Sequence, residues 1–129
     1  MKQSAVITGA LLCAIGIILG AFGAHALQNI VPDPKYIVSW ESGVRYQMYH
    51  GLAIIIVAIL RRYFKSPLLG TATMLMLLGT ILFSGSIYLL VFLKSTASIG
   101  LGGLGIITPI GGVILVISWL LLIIGVLKK

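Results

Sequence analysis

The sequence predicts an all-α integral membrane protein: a bundle of four transmembrane helices with both termini cytoplasmic. Three observations carry that prediction. First, 60% of the 129 residues are hydrophobic, 9% are charged and the mean hydropathy is +1.19. A soluble domain this small exposes too much of its surface to hide so much apolar area, and ordinary soluble domains carry roughly a quarter charged residues. Second, the apolar residues fall in four continuous runs rather than alternating, which favours helices over a barrel. Third, the Lys and Arg residues gather between and beside those runs. One transmembrane domain spanning 1–129 is expected, with helices at approximately 4–27, 38–62, 67–93 and 108–127.

Ala5 to Leu27 forms the first run and contains no formally charged residue. Lys2, this run and Ala24-His25-Ala26 mimic a signal peptide, but the run is longer than an ordinary signal core, so it is read as a retained span. A polar connector, Gln28 to Ser39, is punctuated by Pro32-Asp33-Pro34. The second run spans about Trp40 to Leu60 and is closed by Arg61, Arg62 and Lys65. Pro67 opens the third, which continues to Leu93. Lys94 to Ser98 breaks the pattern, and a glycine-rich segment, Ile99 to Ile107, is expected to be an apolar linker against the outer face. Thr108 is the expected N-cap of the fourth helix, with Pro109 at its first position. Each run can cross a hydrocarbon core of about 30 Å, which takes about 20 helical residues.

The net charge of +7 would suggest nucleic acid on a soluble protein. Here there is no basic patch interleaved with aromatics, so the charge reads as topology and attraction to anionic lipid. Lys2, Arg61, Arg62, Lys65, Lys128 and Lys129 share the cytoplasmic side if both termini are inside. Lys35, Arg45 and Lys94 fall outside, offset by Asp33 and Glu41. Cys13, the single cysteine, has no partner for an intrachain disulfide.

Helical rise then places the polar residues in depth. With Arg62 at the inner boundary and ~1.5 Å per residue, His50 lies ~18 Å outward, Arg45 ~25 Å and Glu41 ~31 Å. His25, Ser84, Ser86 and Thr108 fall in the same outward half. The inward half is almost purely aliphatic. Glu41 and Arg45 are spaced i,i+4 with the acid first, the favourable order for an ion pair, and Tyr49 continues that face. Tyr46 and His50 form a second pair on the other side, so this half-helix is polar nearly all round. It must be wrapped by other helices, lie among headgroups or line a wet cavity. The candidate ligand cluster is therefore His25, Glu41, Arg45, Gln47, Tyr49, His50, Ser84, Ser86 and Thr108. The plainer alternative is an interfacial Glu41–Arg45 pair, a hydrogen-bonded core His50, and an aromatic belt at Trp40, Tyr46 and Tyr49.

Gly16, Gly20 and Gly23 are expected to be helix-packing positions, with Gly16-x-x-x-Gly20-x-x-x-Ala24 as a smooth stripe on the first helix. Whether that stripe meets another helix of the same chain or of another is open at this point. Gly100-Leu101-Gly102-Gly103-Leu104-Gly105 lacks the Lys-Ser/Thr and the preceding strand of a phosphate loop. No closely spaced carboxylate pair, G-x-S-x-G elbow or H-E-x-x-H helix is present, so no catalytic residue, metal or cofactor is expected.

Four ordered strings extend over nearly the whole chain: Gly20-Ala21-Phe22-Gly23-Ala24-His25-Ala26-Leu27, Tyr46-Gln47-Met48-Tyr49-His50-Gly51-Leu52-Ala53, Leu82-Phe83-Ser84-Gly85-Ser86, and Ile107-Thr108-Pro109-Ile110-Gly111-Gly112. In these strings the chain resembles the domain-of-unknown-function 423 family of small bacterial inner-membrane proteins, related to a eukaryotic transmembrane protein. The resemblance implies a multi-pass protein of the bacterial plasma membrane with four helices, and brings no substrate or catalytic residue. The polar cluster points to binding or translocation of a small molecule or ion. The alternative is an assembly or scaffold protein that docks on another membrane protein. The expected partners are the lipid bilayer and a second copy or another membrane protein, with no nucleic acid.

Overall fold

The computed structural model describes residues 2–31, 33–96 and 104–128. Among them are five helices and no strand: α1 (Lys2–His25), the short α2 (Leu27–Ile30), α3 (Pro34–Leu60), α4 (Leu68–Thr96) and α5 (Leu104–Leu127). The four long ones each contain a stretch apolar and long enough to cross a membrane.

The helix ends follow from local chemistry. Asp33 accepts the Lys35 backbone N–H at 3.0 Å with Pro34 in the first turn, a side-chain cap followed by a residue whose missing N–H costs nothing there. That cap starts α3 at Pro34, four residues before the expected 38, and together with α2 makes most of the Gln28–Ser39 connector helical. The chain turns after α3 through Arg61, Arg62 and Tyr63, and the Ser66 hydroxyl accepts the Leu68 N–H at the head of α4. The last helix also starts early. Thr108 is not its N-cap: α5 already begins at Leu104, and Pro109 lies inside it. Unpaired backbone at membrane depth is costly, so the apolar residues before Thr108 are taken into the helix instead of forming a linker. The rest of the expected Ile99–Ile107 linker, and Gly100 to Gly103, lie outside the described residues.

Sequence neighbours are spatial neighbours: α1 packs on α3, α3 on α4 and α4 on α5. In hydrocarbon the hydrophobic effect does not pull helices together, so close contact must come from shape and small residues. The buried positions recur at alternating three- and four-residue steps, as in knobs-into-holes packing. In α3 they include Trp40, Gly43, Gln47, His50, Ile54 and Val57. In α1 they are Ala5, Gly9, Gly16 and Gly23, spaced by one step of four and then by seven, the sum of a three and a four. Glycine sets the distance of approach. A Cβ on Gly9 would lie 2.5 Å from the Gly51 carbonyl oxygen of α3, and one on Gly111 of α5 would lie 2.5 Å from the Phe83 nitrogen of α4.

Two apolar clusters result. One, around Ala5, Ile54, Val57, Leu69 and Met76, fills the end near Arg61. The other, Leu27, Val31, Trp40 and Val91, fills the opposite end. Gln47, His50 and Ser84, all buried, lie between the two clusters along the helices.

Candidate functional site

The polar layer begins with the glycines of α1. A helical side chain leans over the turn that precedes it, so a glycine at i+4 leaves the carbonyl of residue i uncovered. Gly16 and Gly23 do this for Leu12 and Leu19. The Gln47 amide donates to the Leu12 carbonyl at 2.8 Å, and the Trp40 indole N–H donates to the Leu19 carbonyl at 2.8 Å. Both glycines are in close contact with the helix they admit. A Cβ on Gly16 would lie 2.7 Å from Met48 Sδ, and one on Gly23 would lie 2.5 Å from Trp40 Cδ1.

The layer then crosses to α4 and α5. Tyr88 donates its hydroxyl to Gln47 Oε1 at 2.7 Å, so Gln47 joins α1, α3 and α4 through one side chain. Ser84 donates to the Gly43 carbonyl at 2.6 Å. Ser86 and Thr108 share a hydrogen bond of 2.5 Å between α4 and α5. His50 Nδ1 is 2.7 Å from the Tyr46 carbonyl, and its Nε2 is 3.1 Å from the Trp119 indole nitrogen. A carbonyl can only accept and an indole N–H can only donate. Those two partners fix a ring that carries its proton on Nδ1 and offers Nε2 as an acceptor. Among the described residues, no buried side-chain nitrogen or oxygen lacks a hydrogen-bond partner. The layer is closed, as a polar group surrounded by hydrocarbon must be.

Beside this layer α3 and α5 part to leave a groove of about 510 Å³. Tyr46, Tyr49, His50 and Trp119 line one part of it, and Ala53, Ile56, Val57 and Leu122 the rest. Tyr46 stacks nearly parallel to His50, 6.3 Å between centroids, and Trp119 meets His50 edge-on at 6.0 Å. From Tyr46 to Val57 the groove follows α3 for about 16 Å, the depth of one leaflet.

The nine residues of the candidate cluster therefore separate. Gln47, His50, Ser84 and Ser86 are buried, Thr108 is half-buried, and all five are hydrogen-bonded. His25, Glu41, Arg45 and Tyr49 are exposed on the outside of the bundle, Tyr49 at the groove. The ion pair expected from Glu41 and Arg45 does not form. The single salt bridge among the described residues is Lys35–Asp33, at 3.7 Å and exposed. Rotation accounts for the exposure of the three on α3: the positions that turn inward are 43, 47 and 50, which leaves 41, 45 and 49 facing away.

Of the three expected packing glycines, Gly16 and Gly23 are buried and Gly20 is half-buried. The buried stripe is Gly9, Gly16 and Gly23, seven residues apart, while Ala24 faces outward. Its partner is α3 of the same chain. Trp40 is not a belt residue: it is 3% exposed and held between Phe22 and Tyr88. Tyr88 and Trp119 supply two of the interhelical hydrogen bonds, and sequence reasoning gave neither a role. Depth counting carried a signal for Trp119. It lies about 14 Å from Lys128, close to the 16 Å that separates His50 from Arg61.

Comparison with known proteins agrees with a membrane protein. The family model described as "Protein of unknown function (DUF423)" matches residues 19–112. The "UPF0382 membrane protein YwdK" of Bacillus subtilis is 42% identical over 124 residues, which cover 95% of each chain. A "UPF0382 membrane protein" of Staphylococcus aureus is 42% identical over 95% of this chain and 94% of its own. One of Staphylococcus epidermidis is 40% identical over the same shares. No solved structure matches the chain.

Proposed function

We propose that this chain, which belongs to the DUF423 family of membrane proteins, binds a small apolar or amphiphilic molecule in the groove between α3 and α5. The observation that carries the proposal is the groove itself: about 510 Å³, lined by aromatic and aliphatic side chains around one polar pair, His50 and Trp119. That is the size and make-up of sites for drug-sized molecules. The saturated polar layer favours binding over conduction of an ion, because no buried side-chain donor or acceptor among the described residues is left to replace a hydration shell.

A dansyl-labelled fatty acid tests this, with Trp119 as energy donor. The reading expects saturable energy transfer that unlabelled fatty acid displaces, and Ala53→Phe, which places a ring in the groove, lowers the affinity about tenfold. Transfer that grows linearly with probe, and is indifferent to Ala53→Phe, contradicts it. So does a specific crosslink from Ile56→Cys to a transmembrane helix of another protein, the result expected of a scaffold. The glycine seam of α1 lends that alternative no support, since it already faces α3.

We place the protein in the plasma membrane with both termini cytoplasmic. The support is electrostatic: Lys2, Arg61, Arg62, Lys65 and Lys128 lie at one end, and the two carboxylate side chains, Asp33 and Glu41, at the other. In intact cells, Lys65→Cys is expected to resist a membrane-impermeant maleimide and Ser39→Cys to react. The reverse pattern contradicts this orientation.

A further inference from the structure

We propose that the pocket between the first turns of α1 and α4 is a binding site for the phosphate of an anionic phospholipid, with Arg61 as its anchor. The pocket measures about 250 Å³ and is amphipathic. Ser4, Thr8, Arg61 and Thr73 supply its polar side, while Met74 and Leu77 supply apolar surface deeper in the bilayer. Arg61 follows the last turn of α3 and folds back on α4. The guanidinium rests over Gly70, where a Cβ would come within 3.3 Å of Nη2. Glycine at 70 thus gives the guanidinium its place against the helix.

What the guanidinium lacks is an acceptor. It is half-buried, and among the described residues it makes neither a salt bridge nor a side-chain hydrogen bond. The chain has two carboxylate side chains, Asp33 and Glu41. Glu41 is twenty helical residues from Arg61, about 30 Å away. A planar fork of five N–H donors at a membrane boundary calls for an acceptor with two oxygens on one centre. The two unesterified oxygens of a phosphodiester match that fork. A lipid satisfies the rest of the pocket, because its acyl chain can run past Leu77 and Met74, the latter 73% exposed. The neighbouring Lys2, Arg62 and Lys65 add positive potential with no carboxylate side chain near them, which selects a lipid of net negative charge.

Native mass spectrometry of the delipidated protein in non-ionic detergent tests the site, with phosphatidylglycerol, phosphatidylcholine and inorganic phosphate as probes. One phosphatidylglycerol is expected to be retained with about tenfold preference over phosphatidylcholine, and inorganic phosphate is expected not to displace it. Arg61→Gln is expected to lower that affinity about tenfold. Arg62→Gln is expected to change it less than about twofold, because Arg62 lines a different groove with Lys2. Should Arg61→Gln not fold, Arg61→Lys keeps the charge and loses the fork, and a loss of about threefold is expected. Equal effects at Arg61 and Arg62 would mean diffuse surface charge and overturn the site. Equal retention of phosphatidylcholine, full affinity in Arg61→Lys, or displacement by inorganic phosphate would overturn it as well. None of these outcomes bears on the α3–α5 groove, whose residues are not involved.

Discussion

Gly23→Ala is expected to destabilise the bundle by about 2–4 kcal/mol, far more than one methyl group usually does. The added Cβ would lie 2.5 Å from Trp40 Cδ1 and 2.8 Å from its Nε1. The indole cannot retreat. It is 3% exposed, with the Phe22 and Tyr88 rings 5.5 and 4.7 Å away, centroid to centroid. Moving it also breaks its hydrogen bond to the Leu19 carbonyl, which the new methyl group would cover. Gly85 and Gly105 are the controls, because a Cβ at either meets nothing within 4 Å. There the same substitution should be neutral or stabilise by about 0.5–1 kcal/mol, since alanine holds a helix better than glycine. Unfolding in mixed micelles by increasing mole fraction of sodium dodecyl sulfate measures all three. Equal stability of the three variants would show that the α1–α3 seam is looser than described.

Removing the amide of Gln47 has the second largest expected effect. Gln47→Leu keeps the volume but takes away the donor to the Leu12 carbonyl and the acceptor of the Tyr88 hydroxyl. A buried hydroxyl left without a partner costs about 1–3 kcal/mol. Single hydrogen bonds between membrane helices are worth about 0.6 kcal/mol on average and up to about 1.7. With two bonds lost, a total of about 1–3 kcal/mol is expected. Tyr88→Phe alone removes one of the two. The double variant should therefore lose less than the sum of the singles, by about 0.5–1.5 kcal/mol. Strict additivity would mean that Tyr88 and Gln47 do not interact in the membrane.

Much of this architecture was legible in the sequence, for reasons that also mark where legibility ends. The four spans follow from run length, and Asp33-Pro34 is a readable helix start even though the span was expected to begin later. The rotation of each helix was not readable. In a soluble helix the polar face reports the outside, but here both lipid and core select apolar residues, so Ile54 inside and Ile56 outside look alike. The polar half of α3 shows the same limit. Glu41-x-x-x-Arg45 and Gly43-x-x-x-Gln47 are both plausible inward stripes, and neighbouring glycines decide between them. The heptad Gly9, Gly16, Gly23 was present in the sequence, although Gly16, Gly20 and Ala24 made the more familiar four-residue pattern. Tyr88 and Trp119 were missed because an aromatic residue in a span reads as packing until a hydrogen-bonding group at the same depth requires a partner.

The buried polar side chains close on one another and on uncovered carbonyls, which leaves the α3–α5 groove as the site we propose for a ligand. The Trp119–His50 contact is where that closed layer borders the groove, at 3.1 Å between nitrogens. Nitrogen-15 magnetic resonance of the protein in bilayers measures it directly. A scalar coupling across the hydrogen bond from the Trp119 indole to His50 Nε2 is predicted, with the imidazole proton on Nδ1 and the indole hydrogen protected from exchange. No coupling, with the indole hydrogen exchanging freely and the two imidazole nitrogens averaged by solvent, would describe a wet and open cluster and contradict the account.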